Sequence, residues 1–162
     1  GDILIFVTLG SQKFQFNRLL IELDKLVQEK KINQKIFAQI GYSTYVPQNF
    51  EFKDFLDRSE FMFFMEKCNI VITHGGTGAI VGAVKKGKKV LALPRLSKYG
   101  EHVDDHQLQI VNQFQDMNLI IGIEDCNDIY NALEKLNIIE FDKYISNTNS
   151  IIESIEEFLN EC

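Results

Sequence analysis

The stretch "NIVITHGGTGAIVGAVKKGKKVLALPR", Asn69 to Arg95, decides how the chain is read. It opens with "NIVIT", an apolar, β-branched run of strand length, and breaks at His74-Gly75-Gly76-Thr77-Gly78. It resumes as the helix-compatible "TGAIVGAVKK" and ends on "KVLALP", a strand stopped by Pro94. The glycines thus fall at a helix N-terminus. There the first backbone N–H groups lack intrahelical partners and the helix dipole is positive, which favours a phosphate. Thr77 can cap the helix or donate its hydroxyl, and His74, at the strand tip, can donate to a phosphate or sugar oxygen. A tight glycine turn with a structural histidine fits the same spacing. The turn is not a P-loop, since no Gly-Lys-Ser/Thr follows, and it is not a GxGxxG after the first strand.

Outward from this unit the same alternation continues. "ILIFVTL" (Ile3–Leu9) reads as a strand buried on both faces. "NRLLIELDKLVQEK" sets Leu19, Leu20, Leu23, Leu26 and Val27 on one helical stripe, with Asn17 as N-cap. "KIFAQI" (Lys35–Ile40) is a second strand and "NFEFKDF" carries a short third. "SEFMFFMEKC" is helical with Ser59 as its cap, and so is "DDHQLQIVNQFQDM". "LIIGI" is a sixth strand, while "DIYNALEKL" and "SIIESIEEFLNE" are closing helices. The last of these packs Ile151, Ile152, Ile155, Phe158 and Leu159 into the core or an interface. The expected fold is α/β, a Rossmann-like, doubly wound parallel sheet of about six strands, with residues 1–162 as one domain. Ligands of such sheets sit beyond the carboxyl ends of the strands, near the switch in strand order. Attention therefore falls on the loops after Leu9, Ile40, Thr73 and Pro94.

Two of these loops repay a closer look. In "TLGSQKF", Gly10-Ser11-Gln12 follows the first strand, and its amides and side chains can hold a diphosphate from the side opposite Gly75–Gly78. A plain β–α turn is the bland alternative. "PRLSKYGEHVDDHQLQ" gathers Arg95, Lys98, Glu101, His102, Asp104, Asp105, His106 and Gln107 after the fifth strand, so the chain's three histidines lie at two strand ends. Asp104 or Asp105 can cap the helix that follows. Lys85, Lys86, Lys88 and Lys89 form a dense basic cluster. It opposes the C-terminal dipole of the glycine-led helix or, alternatively, meets anionic lipid head groups.

Composition narrows the class. The 162 residues suffice for a real core, and no apolar run approaches the ~18 residues of a membrane span. Ile3–Leu9 lacks the flanks of a signal peptide, so a cytoplasmic protein is expected. Cys68, Cys126 and Cys162 are far apart with no CxxC pair, which argues against a metal site or a disulfide framework. The formal charge of −6 is uneven: residues 124–162 hold ten acids and two lysines, leaving the rest slightly basic. That balance suits an anionic small ligand better than a nucleic acid, which needs a concentrated basic stripe.

"FVTLGSQKFQFNRLL", "QIGYSTYVP", "VITHGGTGAI", "GKKVLALPR" and "YGEHVDDHQ", in this order and spacing, resemble the nucleotide-sugar-binding half of family 28 GT-B glycosyltransferases. The likeness extends over nearly the whole chain. It is nearest to the stand-alone catalytic subunits of two-subunit enzymes, especially the bacterial capsule and exopolysaccharide group. It implies a UDP-sugar donor, with the diphosphate against Gly10, Ser11, Gln12, Gly75, Gly76, Thr77 and Gly78. His106 and Gln107 would hold the donor sugar. It also implies a separate, membrane-anchored subunit that binds the acceptor, a polyprenyl-diphosphate-linked saccharide, with this chain held peripherally at the cytoplasmic membrane face. One position departs from the pattern: where the family usually places a ribose-binding glutamate, this chain has Gly82, and Glu101 is the candidate substitute.

The implied reaction is inverting transfer of a hexose or N-acetylhexosamine, with His74, His102, Glu101 or a partner residue as the base. Helix-terminal amides can stabilise the departing diphosphate without a metal, and no DxD-like clamp stands at a strand end. No cofactor is expected. A non-catalytic nucleotide-sugar-binding regulatory subunit is the alternative, favoured by Gly82. A nicotinamide or flavin protein would need a glycine fingerprint after the first strand and an acid at the end of the second; "TLGSQKF" and "AQIGYS" supply neither.

Overall fold

The computed structural model describes residues 3–139. Its central strands are apolar on both sides, and alternate residues feed two cores. In β1 (Leu4–Thr8), Ile5 and Val7 point into one core and Phe6 into the other. β2 (Lys35–Gln39), β4 (Ile70–His74) and β5 (Lys89–Leu93) divide in the same way, as period-two side-chain alternation requires. α1 (Asn17–Gln28) and α5 (Ile129–Ile138) close the first core with Leu19, Leu20, Leu23, Ile129 and Leu136. α2 (Arg58–Lys67), α3 (Thr77–Lys85) and α4 (His106–Asp116) close the second with Met65, Ile80, Val84, Ile110 and Phe114.

With the short strands β3 (Glu51–Lys53) and β6 (Ile121–Gly122), the sheet has six strands in the order β3-β2-β1-β4-β5-β6, and every neighbouring pair is parallel. The expected doubly wound Rossmann-like sheet is what forms. The strand order reverses between β1 and β4, so the loops after Thr8 and His74 flank the crevice where such sheets take ligands. The sixth strand is shorter than "LIIGI" suggested. Leu119 and Ile120 are buried in the second core, and only Ile121 and Gly122 pair with β5.

Two caps differ from expectation. Phe16 is the N-cap residue of α1, while the Asn17 side chain crosses to the loop after β2. Its Oδ1 accepts from the N–H of Thr44 and Tyr45, and its Nδ2 donates to Thr44 Oγ1. α2 is capped by Asp57, not Ser59: Asp57 and Glu60 form a reciprocal capping box. The last expected helix, with Ile151 to Leu159, lies outside the described residues.

The lysine cluster lies at the sheet edge opposite the crevice. Lys88 Nζ donates to the carbonyls of Glu66 and Cys68 at the end of α2, and Lys89 Nζ donates to Leu136 O near the end of α5. Lys86 pairs with Glu66 at 2.5 Å. Lys88 and Lys89 thus serve the C-termini of neighbouring helices, where free carbonyls and the dipole's negative end favour cations.

Asp24 is a carboxylate on the buried stripe of α1, 3% exposed. Burial opposes its charge. The Tyr45 hydroxyl (2.5 Å), the Gln48 and Asn49 N–H groups and the Asn49 amide together hold it below the usual carboxylate range. This network fastens the loop between β2 and β3 onto α1. Asp24→Ala would strand those donors, and urea unfolding should show a loss of about 2–4 kcal/mol. A loss below about 1 kcal/mol would show that the loop is held some other way.

Candidate functional site

At the crevice the backbone is drawn together by close approach. Gly10 ends the β1 exit with φ +75°, and a Cβ there would lie 2.7 Å from Nε2 of His74. A Cβ at Gly76 would overlap Cε1 of the same ring, so the imidazole is gripped between two glycine turns. Gly75 is backed by α4: a Cβ there would meet Gln107 Cβ at 2.8 Å and Val111 Cγ2 at 3.0 Å. These three glycines are demanded by the protein's own packing. Gly78 is not. It lies in the first turn of α3, exposed, and a Cβ there would meet nothing within 4 Å.

α3 starts at Thr77, at the carboxyl end of β4, with Gly76 as N-cap and no side-chain cap, so its first-turn amides have no side-chain partner among the described residues. Across from them, Ser11 and Gln12 are exposed and their side chains bond to nothing among the described residues. His74 is 7% exposed. Burial and the nearby Arg95 charge push its pKa down to about 3, against a hydrogen bond with Gln107. It is therefore neutral at physiological pH. Its Nδ1 meets Gln107 Nε2 at 3.2 Å, while Nε2 has no hydrogen-bond partner among the described residues.

Beneath the crevice lies a polar hub in which Arg95 and Glu101, both in the loop singled out after β5, are joined by Arg18, which sequence reasoning did not name. Arg95, 1% exposed, donates to the carbonyls of Leu9, Phe14, Gln15 and Glu101, and its guanidinium stacks over Phe16 at 5.2 Å. Burial lowers its pKa to about 10, which leaves it charged at neutral pH. Arg18 Nε pairs with Glu101 Oε2 at 2.7 Å, and Arg18 also donates to Pro94 O and Glu124 O. A polar residue inside an apolar run, such as the arginine between Pro94 and Leu96, is the signal that marks such a hub.

Glu101 and Gln107 sit otherwise than expected. Glu101 is 1% exposed, and Arg18 and the Leu96 N–H occupy its carboxylate, which is thus engaged within the protein rather than open to solvent. Gln107, 4% exposed, turns inward: Oε1 accepts from the N–H of Gly75 and of Arg95, both at 3.0 Å. Its amide is engaged within the protein by Gly75, Arg95 and His74. His102 is half-buried against Phe14, with Nδ1 3.1 Å from Asp104 Oδ1. His106 opens α4, its N–H donating to Asp104 Oδ1, while Asp105 accepts from Ser97. Gly82 lies exposed in α3, one turn beyond Gly78.

The lowered pKa of His74 has a stability consequence. The unfolded chain protonates near the ordinary value of about 6.5 and the native state near 3, so native stability falls as pH drops below the unfolded value. Between pH 7 and pH 5 this single site should remove about 2 kcal/mol. His74→Gln should lose that much less than the parent over the same interval, measured by urea unfolding at both pH values. Parallel pH profiles would overturn the assignment.

The Glycosyltransferase family 28 C-terminal domain model matches residues 4–138. Solved structures share the fold at low identity. The NMR structure of ALG13 superposes with a TM-score of 0.66 at 17% identity, covering 95% of this chain and 94% of that one. The glycotransferase of kitacinnamycin gives 0.64 at 16%, covering 99% of this chain and 38% of that chain. A UDP-GlcNAc 2-epimerase from Neisseria meningitidis, solved with UDP-GlcNAc bound, gives 0.59 at 15%, covering 98% and 44%. The chain thus spans less than half the length of these last two proteins and nearly all of ALG13. No curated protein matches it. The glycine crevice at the strand-order switch and the match over residues 4–138 agree: the chain belongs to glycosyltransferase family 28, as its C-terminal-type domain.

Proposed function

We propose that this chain is the donor-binding, catalytic subunit of an inverting glycosyltransferase. It transfers a hexose or N-acetylhexosamine from a UDP-sugar to a lipid-diphosphate-linked saccharide. A membrane-anchored partner supplies the acceptor site and holds this subunit at the cytoplasmic face. The carrying observation is the open rim at Gly78. Gly75 and Gly76 answer to internal contacts, but a glycine in the first turn of α3 weakens the helix with no steric return from the protein itself. Free amides, His74 Nε2 and the facing Gly10-Ser11-Gln12 loop surround that opening, with the buried Arg95 charge below.

These groups are donors and cations, which is what a diphosphate leaving group requires as negative charge builds on it. The UDP-sugar class is supported by the family and by the UDP-GlcNAc bound in a structural neighbour. The two-subunit arrangement is supported by the extent of the ALG13 match. No helix among the described residues is long and apolar enough to cross a membrane, so an anchor in a partner fits this part of the chain. On this reading no metal is needed; activity that fails in chelator and returns with Mg²⁺ would contradict that part. Gly82 favours a second reading, a regulatory subunit that binds UDP-sugar without transferring it.

Gly78→Ala separates ligand space from fold. The methyl group meets no protein atom, so the helix should gain up to about 1 kcal/mol and Tm should rise. The same methyl narrows the phosphate site, so UDP-sugar affinity by calorimetry should fall at least about tenfold, the scale of one lost charge-assisted hydrogen bond. A variant that is more stable and binds as the parent does would place the diphosphate elsewhere. Transfer by the parent only with a membrane fraction carrying the partner would support the catalytic reading; binding without transfer under those conditions would support the regulatory one.

A further inference from the structure

We propose that Gln107 is a positioning residue that fixes the single proton of His74 on Nε2, so that the strand tip presents a hydrogen-bond donor, not a base, to the anionic oxygens bound at the Gly75–Gly78 turn. This rests on the donor-site reading above and assigns Gln107 a role other than contact with the sugar.

The orientation of the Gln107 amide is determined by its neighbours. One of its terminal atoms lies 3.0 Å from the N–H of Gly75 and 3.0 Å from the N–H of Arg95. A main-chain N–H only donates, so an atom facing two of them is the oxygen. The other atom is then the NH₂ group, and it faces His74 Nδ1 at 3.2 Å. An NH₂ group has no lone pair to offer, so Nδ1 must accept and the imidazole proton must sit on Nε2. The opposite tautomer would set two donors face to face in a site shielded from water. The charged and titratable groups around the ring act the same way: the Arg95 guanidinium and His102 both disfavour a second proton.

A half-turn of the ring would keep its outline but set Cδ2–H against the Gln107 NH₂ group and forfeit the hydrogen bond. Gly10 and Gly76 lie against Nε2 and Cε1 with no room even for a Cβ. Gln107 also ties the exit of β4, through Gly75, to the exit of β5, through Arg95, so α4 fixes both loops and the histidine proton with one side chain. Nε2, the one ring nitrogen without a protein partner, is left to donate toward the crevice.

The test is ¹⁵N NMR of the intact chain labelled at histidine, first without nucleotide, with the His74 signals assigned by their loss in His74→Gln. The expected result is a bare Nδ1 and a protonated Nε2 between pH 5 and 8; a proton on Nδ1 overturns the proposal. Gln107→Glu places an acceptor oxygen where the NH₂ stood, so Nδ1 should gain a proton. An unchanged Nδ1 in that variant, if it folds, also overturns it, and the parent spectrum decides the matter if it does not fold. Saturating UDP-glucose, whose esterified diphosphate does not titrate near neutral pH, should then shift the Nε2 resonance and leave Nδ1 bare. Binding by calorimetry with an unmoved Nε2 would refute the donor role while sparing the UDP-sugar site. No binding at all would refute that site while the ligand-free spectrum still reports the proton.

Discussion

The crevice depends on a buried guanidinium. Arg95 stands where the β1 exit, the start of α1 and the loop after β5 converge, and it collects carbonyls from all three. Those carbonyls belong to turns that have no ladder to join, and each would otherwise be a buried acceptor without a donor. Burying the charge is unfavourable unless it is well bonded, and here four carbonyl groups and an aromatic face bond it. Glu101 is the carboxylate that meets these arginines, and its direct partner is Arg18. Two positive charges face one negative charge beneath the crevice. The excess favours an anion above it, and its effect on the neutral His74 has the same origin.

On this electrostatic base the glycines divide into two kinds. Gly10, Gly75 and Gly76 let β1, β4, α4 and the imidazole approach closely, so they would be glycines even in a protein that bound nothing. Gly78 has no such reason. The division matters because a glycine-rich turn with a histidine has two readings, tight packing or a ligand cradle, and spacing alone does not choose between them. Atom positions show that packing accounts for Gly75 and Gly76, while Gly78 faces open space, as Gly82 does further along α3, and its place at the helix N-terminus is what the proposed donor site uses.

The fold was legible because it rests on periodicity. Apolar runs of strand length alternating with helix-period stretches allow few arrangements, and parallel crossovers leave a doubly wound sheet as the economical one. The crevice followed from topology, since loops at carboxyl ends of strands converge wherever the order reverses. The partners of individual polar side chains were not legible. Asn17 looked like a cap and instead holds the loop at Thr44; Glu101 looked exposed within a polar segment and pairs with Arg18, 83 residues away. Gln107 reads as a surface residue at a helix start, and only the packing of α4 on Gly75 turns it inward. Such contacts join positions distant in sequence, and their residue types are equally at home in water. Asp24, an acid beside Leu20 and Leu23 on the buried stripe of α1, went unremarked in the sequence for the same reason: its partners Tyr45, Gln48 and Asn49 lie beyond the next strand.

The proton inventory of the crevice bears on where the acceptor must come from. The first-turn amides of α3 and His74 Nε2 are donors, Arg95 is a cation, and Glu101 is locked to Arg18. On the proposed function all of these suit a departing diphosphate, and none is placed to take a proton from an attacking hydroxyl. Among the candidate bases named from the sequence, His102 rests on Phe14 at the edge of the β1 loop, with Nδ1 3.1 Å from Asp104 Oδ1 and 3.4 Å from the Asp104 main-chain N. On the proposed function, transfer requires either that the acceptor reach the loop after β5 or that a partner bring its own base. Under that proposal the two cases differ in what His102 does, and the histidine of the glycine turn is a donor in both.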